Sequence, residues 1–181
     1  FLSDISEGMV EEVRNKLGSD FNCIVVNAEK IPFKDAYFDT IIANHVLFYL
    51  NDLNQGLKEI DRVLKPNGVF YCSTYGKEHM KEINEIVQNF DSRINLSNHS
   101  LYNIFGLENG EEILKHYFSN VERMDYQDCL EITESKPLID YIMSCHGNQN
   151  EILGPRLNEF KEYIEFILNK NDKIVVTKQA G

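Results

Sequence analysis

The sequence predicts a doubly wound α/β fold, in which helices cover a mostly parallel sheet. Residues 23–26 and 38–43 form short apolar runs rich in β-branched side chains, as in strands that are buried on both faces. A segment of helical periodicity separates most of the predicted strands, which favours parallel pairing with right-handed crossovers. A final run at 174–177 predicts a strand antiparallel to the segment 121–132.

The helices follow from apolar residues that recur every three or four positions. Ser6 is the candidate N-cap of the first helix, which Gly18 ends. Asn51 or Asp52 begins the second, and the Pro-Asn-Gly sequence at 66–68 separates that helix from a strand at 69–73. In the second half the pattern predicts a polar loop or lid at 91–100 and helices at 83–90, 110–117, 136–145 and 157–167.

Composition excludes several classes of protein. Of the 181 residues, 43% are apolar, which argues against a disordered chain. The net charge of −11 argues against a cationic surface that would bind nucleic acid or anionic membranes. No apolar run approaches the roughly 18 residues of a membrane span. The four cysteines lack C-x-x-C spacing, which favours free thiols. We expect one acidic, cytoplasmic domain.

Polar residues follow several of the predicted strands. Ligands of open α/β sheets bind beyond the carboxyl ends of the strands. A carboxylate there can accept both hydroxyls of a ribose, and an amide can bind the edge of an adenine. These positions therefore predict an adenosine-type ligand. They are Asp4, Asn27-Ala28-Glu29, Asn44-His45 and Ser73-Thr74-Tyr75.

Four ordered segments carry a family resemblance. They are DISEGM at 4–9, NAEKIPF at 27–33, FDTIIANHVL at 38–47 and RVLKPNG at 62–68. Over residues 1–76, this pattern resembles the class I S-adenosylmethionine-dependent methyltransferases, and in particular the small-molecule subgroup that includes quinone-biosynthesis enzymes. The resemblance implies a Rossmann-like methyltransferase sheet, S-adenosylmethionine as the cofactor and methyl transfer to a small-molecule acceptor.

The resemblance also implies roles for single residues on the cofactor side. Asp4 would hold the ribose hydroxyls, and Ile5 would pack against the adenine. Asn27 and Ala28 would contact the adenine edge, although the family usually has an acidic residue where Asn27 stands. The remaining predicted cofactor contacts are Glu29 and Asn44, the latter at the methionine end.

On the acceptor side, the same resemblance implies that His45 and Tyr49 lie towards the methyl group. His45 is the candidate general base, needed only if the acceptor must lose a proton. Tyr49, Tyr75 and His79 are candidate acceptor contacts. No metal is implied, because the five histidines, His99 among them, show no ligand spacing.

Each assignment has a structural alternative. Asp4 can cap the following helix, and Asn27 can be a turn residue that ends a strand. Glu29 can be a solvated loop charge. His45 can be an ordinary histidine at a turn between a strand and a helix.

The family's glycine-rich loop has no counterpart here, because none of the ten glycines forms a G-x-G pair. We therefore expect a chain truncated before that loop, with the family's first strand missing and a homodimer as one way to cover the open sheet. The alternative is a non-catalytic methyltransferase-like remnant or binding module. A nicotinamide-dependent oxidoreductase ranks lower, since it needs a glycine fingerprint.

The predicted domain has three consecutive parts. Residues 1–76 form a partial cofactor-binding core, and residues 77–118 form a lid and the last core helix. Residues 119–181 form the C-terminal strand pair with inserted helices.

Overall fold

A computed structural model of the protein describes residues 1–97 and 100–181. His99 and part of the predicted loop or lid at 91–100 therefore lie outside the described residues. The described chain divides into two compact units. The first contains Phe1–Thr74 and Gly110–Glu122, and the second contains Tyr75–Asn109 and Arg123–Gly181.

The main helices and strands alternate along the first half and become mostly helical in the second. In chain order they are β1 (Leu2–Asp4), α1 (Glu7–Leu17), β2 (Cys23–Val25), β3 (Phe38–Asn44), α2 (Leu53–Val63), β4 (Leu64–Ser73), α3 (Lys81–Phe90), α4 (Gly110–Leu114), β5 (Tyr126–Ile132), α5 (Ser135–Ser144), α6 (Gln149–Leu153), α7 (Leu157–Asn171) and β6 (Ile174–Ala180).

The strands form three pairs. β1 pairs with β2 and β3 with β4, both in parallel, and β5 pairs with β6 in antiparallel orientation. The predicted parallel strands and the antiparallel C-terminal pair are confirmed. Among the described residues, each pair is a separate two-stranded sheet. A further strand between β1 and β3 stays a prediction.

The predicted ends of the first two helices are largely confirmed. The Ser6 hydroxyl accepts a hydrogen bond from the Met9 amide, and Gly18 ends α1 in a positive-φ conformation. Asp52 caps α2 by accepting from the amide of Gln55. The strand predicted from residue 69 begins earlier, at Leu64, because Leu64 already pairs with Phe38 across an irregular register.

Burial on both faces of the parallel strands was the wrong expectation. In the β3–β4 sheet, Ala43 is buried and Phe70 packs against Phe118, with ring centroids 5.4 Å apart. On the opposite face, Ile42 is 63% exposed and lies beside Tyr71 in the register. The described residues leave this second face open to solvent, which is why apolar composition alone misjudged its burial.

The second unit has its own apolar core. Buried side chains from α3, α5, α7 and β6 form one cluster. Its fully buried members include Val87, Ile142, Phe160, Ile164 and Val176. The helices predicted at 83–90, 136–145 and 157–167 are confirmed. α6 was missed, because five residues are too few to show a helical period.

Candidate functional site

Asp4 and Asn27 both lie at the carboxyl end of the β1–β2 pair. Asp4 lies opposite Val25 in the parallel register, and the Val26 amide donates to the Asp4 carbonyl oxygen over 3.0 Å. Asn27 follows Val26, two residues beyond the end of β2. The carboxylate and the amide are thus at the same end of this strand pair, and Ile5, which follows Asp4, is exposed. Their role in adenosine binding stays a prediction.

Only one oxygen of the Asp4 carboxylate accepts a hydrogen bond from the described part of the chain. Its Oδ1 accepts from the amide of Ser6 over 2.8 Å. Helix α1 is capped by the Ser6 side chain, so Asp4 is not the N-cap that the structural alternative requires. Within residues 1–97 and 100–181, no hydrogen bond is recorded for Asp4 Oδ2. This oxygen is an open acceptor at an exposed position.

Asn27 shapes the turn that follows β2. Its Oδ1 accepts from the Glu29 amide over 2.8 Å, and its carbonyl oxygen accepts from the Lys30 amide over 2.9 Å. Asn27 is thus a turn residue, as the structural alternative states, but its side chain can still form further hydrogen bonds. An amide oxygen can accept a second hydrogen bond, and the amide nitrogen is a donor.

The Glu29 side chain points to a neighbouring segment of the chain. Its Oε1 accepts from the amides of Asn51 and Asp52, over 2.7 and 3.2 Å. The side-chain amide of Gln55 also donates to its carbonyl oxygen over 3.4 Å. Glu29 is therefore not a free solvated charge. Its role as a cofactor contact stays a prediction.

Arg62 and Glu59 support the loop after β2. The sequence indicated Arg62 only as part of the segment 62–68 and did not indicate Glu59. Arg62 donates to the carbonyl oxygens of Phe33 and Ile31, over 2.8 and 3.0 Å. It also donates to both carboxylate oxygens of Glu59, over 2.7 and 2.8 Å. These hydrogen bonds hold the pKa of Glu59 below its usual range and raise the pKa of Arg62. The i, i+3 spacing of opposite charges on α2 was the available signal.

Asn44 and His45 lie where β3 ends. His45 has a positive φ of 51°, and its amide donates to the Ser73 carbonyl oxygen over 3.2 Å. This conformation turns the chain into a short segment that exposes Tyr49 (69% exposed) while burying Phe48. The predicted acceptor-side residues of the first unit therefore remain accessible after folding.

Tyr75 and His79 belong to the second unit. Their ring centroids are 5.4 Å apart, and His79 Nδ1 accepts from the Gln179 amide over 3.1 Å. In the described ranges, no group of three or more His, Cys, Asp or Glu residues is arranged to hold a metal ion. Across those same ranges, no helix combines the length and apolar character needed to cross a membrane.

The first 72 residues match the family model of a methyltransferase domain. This segment of the chain is therefore similar to methyltransferase domains. A Bacillus halodurans protein, solved as a candidate methyltransferase, shares the fold with a TM-score of 0.58 and 13% identity, and the match covers 98% of this chain and 78% of that one. These findings confirm the Rossmann-like methyltransferase fold expected from the sequence.

Two curated relatives match a little under half of this chain. One is the arginine-hydroxylase NDUFAF5 of Danio rerio, 36% identical over 85 residues, which are 46% of this chain and 26% of the relative. The other is the ubiquinone/menaquinone biosynthesis C-methyltransferase UbiE of Rickettsia prowazekii, 40% identical over 81 residues, 42% of this chain and 33% of the relative. The matched part of the chain thus spans about a quarter to a third of the length of these relatives.

Proposed function

We propose that the protein binds S-adenosylmethionine and transfers its methyl group to a small-molecule acceptor. The observation that carries the proposal is that Asp4 ends β1 and Asn27 follows the end of β2, on neighbouring parallel strands of a segment that matches a methyltransferase domain. We assign the adenosine part of the cofactor to this edge.

The residues at the edge fit an adenosine. The open Oδ2 of Asp4 can accept a ribose hydroxyl, while the Ser6 amide holds the other oxygen in place. The exposed side chain of Ile5 offers an apolar surface for one face of the adenine. Asn27 has an amide donor and a remaining lone pair for the adenine edge. Asn44 would lie toward the methionine end.

The main task of the protein in this reaction is to align the acceptor atom with the methyl group. The sulfonium of S-adenosylmethionine supplies an activated methyl group, so the protein needs to hold the acceptor atom in line with that carbon. Proximity and orientation alone can contribute about 7–11 kcal/mol. His45 is the group we assign to remove a proton where the acceptor carries one. Its exposed ring at the end of β3 leaves it accessible for that role.

The acceptor is selected by other parts of the chain. The two curated relatives are named for different reactions, a C-methylation in ubiquinone and menaquinone biosynthesis and an arginine hydroxylation, yet each matches little more than 80 residues of this chain. The acceptor site therefore lies mainly in the rest of the protein. The candidate acceptor contacts are Tyr49 in the first unit and, separately, Tyr75 and His79 in the second. We assign the reaction to the cytoplasm.

Calorimetry with S-adenosylmethionine tests the proposal. We expect micromolar affinity, about −8 kcal/mol, for the full-length protein. Methyl transfer would then be measured with a radiolabelled cofactor and a panel of quinols, phenols and amines. Binding without transfer to any acceptor would favour the non-catalytic binding module. The absence of binding would overturn the proposed function.

A further inference from the structure

The connection between β2 and β3 is a long loop. Residues 26–37 connect β2 to β3 without any helix or strand, and this loop carries Asn27 and Ala28 at its start. A connection of a dozen residues is normally variable in conformation unless side chains fix it. The groups that fix this loop therefore determine the geometry of the edge assigned to adenine.

The end of α2 supplies one such attachment. Arg62 donates to two loop carbonyl oxygens, those of Ile31 and Phe33, and to the Asp35 carboxylate over 2.7 Å. Glu59 accepts from the Ile31 amide over 2.8 Å. The two side chains thus pair with each other while they bind the amide and the carbonyl groups of the same loop.

A second attachment lies at the beginning of the loop. Glu29 binds the amides that precede α2, as described above. Helix α2 also approaches the backbone of Ala28 at Gly56, where an added Cβ would lie 3.8 Å from the Ala28 carbonyl oxygen and would overlap Leu50. Both ends of α2 therefore contact the loop, and Ala28 lies directly before the first attached residue, Glu29.

The geometry points to Arg62 as a positioning residue for adenine recognition. It acts together with Glu59 by holding residues 31–35, so that Asn27 and Ala28 present a fixed edge to the base. This inference rests on the proposed function. The guanidinium is suited to the task because its planar fork binds a carboxylate and two carbonyl oxygens at once, whereas a lysine ammonium is a point charge on a flexible stem.

A measurement of base selectivity separates positioning from general support of the fold. The affinities of S-adenosylhomocysteine and its hypoxanthine analogue, S-inosylhomocysteine, would be measured in the full-length protein. We expect Arg62→Lys to weaken S-adenosylhomocysteine binding about tenfold and the analogue by much less, so that the selectivity ratio falls toward one. Glu59→Gln should change the ratio in the same direction.

The control is Lys65→Ala, which removes an exposed ion pair with Asp39 just beyond the end of α2. It should leave both affinities unchanged. If wild-type protein binds S-adenosylhomocysteine more tightly than the analogue, and Arg62→Lys and Glu59→Gln keep the wild-type ratio of the two affinities, the positioning role is wrong while the proposed function stands. If Arg62→Lys fails to fold, Glu59→Gln alone decides. If wild-type protein binds neither compound, the proposed function fails, and the positioning role with it.

Discussion

Glu29 Oε1 lies 2.7 Å from the backbone nitrogen of Asn51 and 3.2 Å from that of Asp52. Asp52 is also the N-cap of α2, so the carboxylate binds the amide of the capping residue itself. The hydrogen bonds join the loop after β2 to the connection after β3. Segments assigned to the cofactor and to the acceptor are thus held by a single side chain.

Replacing Glu29 should therefore lower stability. Glu29→Ala removes the acceptor of two exposed amides, and we expect a loss of about 1 kcal/mol in the free energy of unfolding. Glu29→Gln should keep most of the wild-type free energy of unfolding, because the amide oxygen of glutamine still accepts hydrogen bonds. Urea unfolding would measure both variants. Equal stability of wild type and Glu29→Ala would contradict the connection.

Asp4→Ala should weaken S-adenosylmethionine binding tenfold or more. The change removes the open carboxylate oxygen assigned to the ribose, and the loss corresponds to about 1.4 kcal/mol. The matched control is Ser6→Ala, which removes the cap of α1 but leaves the carboxylate. Calorimetry would compare the two. Unchanged affinity in Asp4→Ala, or an equal loss in Ser6→Ala, would exclude the ribose role.

The local elements were readable in the sequence because their signals are local. The caps at Ser6 and Asp52 and the apolar runs of β2 and β3 are contiguous patterns. By contrast, the partners of Arg62 in the loop after β2 lie 27 to 31 residues away along the chain. No periodicity reports such a contact, so the sequence indicated which residues end the strands but not what holds the loop beside them.

Burial was harder to read than secondary structure for the same reason. Val25 and Ile42 have the side chains of buried strand residues, yet both are at least half exposed. A β-branched side chain favours an extended backbone whether or not another layer covers it. Covering depends on which elements pack above the strand, and that is a property of the whole chain.

Gly147→Ala should destabilise the second unit. A Cβ at this position would overlap the carbonyl oxygen of Asn95, at a loop contact where the Asn148 amide donates to that same oxygen over 2.9 Å. We expect a loss of about 1–3 kcal/mol, as for overpacked cores. Gly154→Ala is the control, because nothing lies within 4 Å of its added Cβ. Its stability in thermal unfolding should equal or exceed that of wild type.

Asp91 should make the stability of the second unit sensitive to acid. The side chain and the amide of Arg93 donate to its carboxylate, over 2.7 to 3.1 Å, and Arg156 donates over 3.0 Å. These contacts, led by the Arg93 side chain, hold the pKa of Asp91 well below its usual range. A lowered pKa stabilises the folded state above the unfolded value, which is about 3.9.

Asp91→Asn should therefore be less stable than wild type at pH 7. The difference should shrink as the pH falls below about 4, because wild type loses this contribution when the carboxylate is protonated. Urea unfolding at pH 7 and pH 3 would measure it. Asp140→Asn, at an exposed ion pair with Lys136, is the control. A difference between wild type and Asp91→Asn that does not depend on pH would contradict the assignment.

The open side of the β3–β4 sheet should drive self-association. In residues 1–97 and 100–181, β3 pairs with β4 alone, and Ile42, Val69 and Tyr71 are exposed on one face. An unpaired strand edge beside an apolar face favours pairing with another chain, and a lysine on the strand opposes it.

We expect light scattering to show association that rises with concentration in wild type and falls in Ile42→Lys. The control is Val175→Lys, because Val175 is an exposed apolar residue on β6, in the antiparallel pair. That variant should associate as wild type does, since it leaves the β3 edge unchanged. A wild type that stays monomeric at every concentration, or an equal effect of both lysines, would show that this edge does not direct the association.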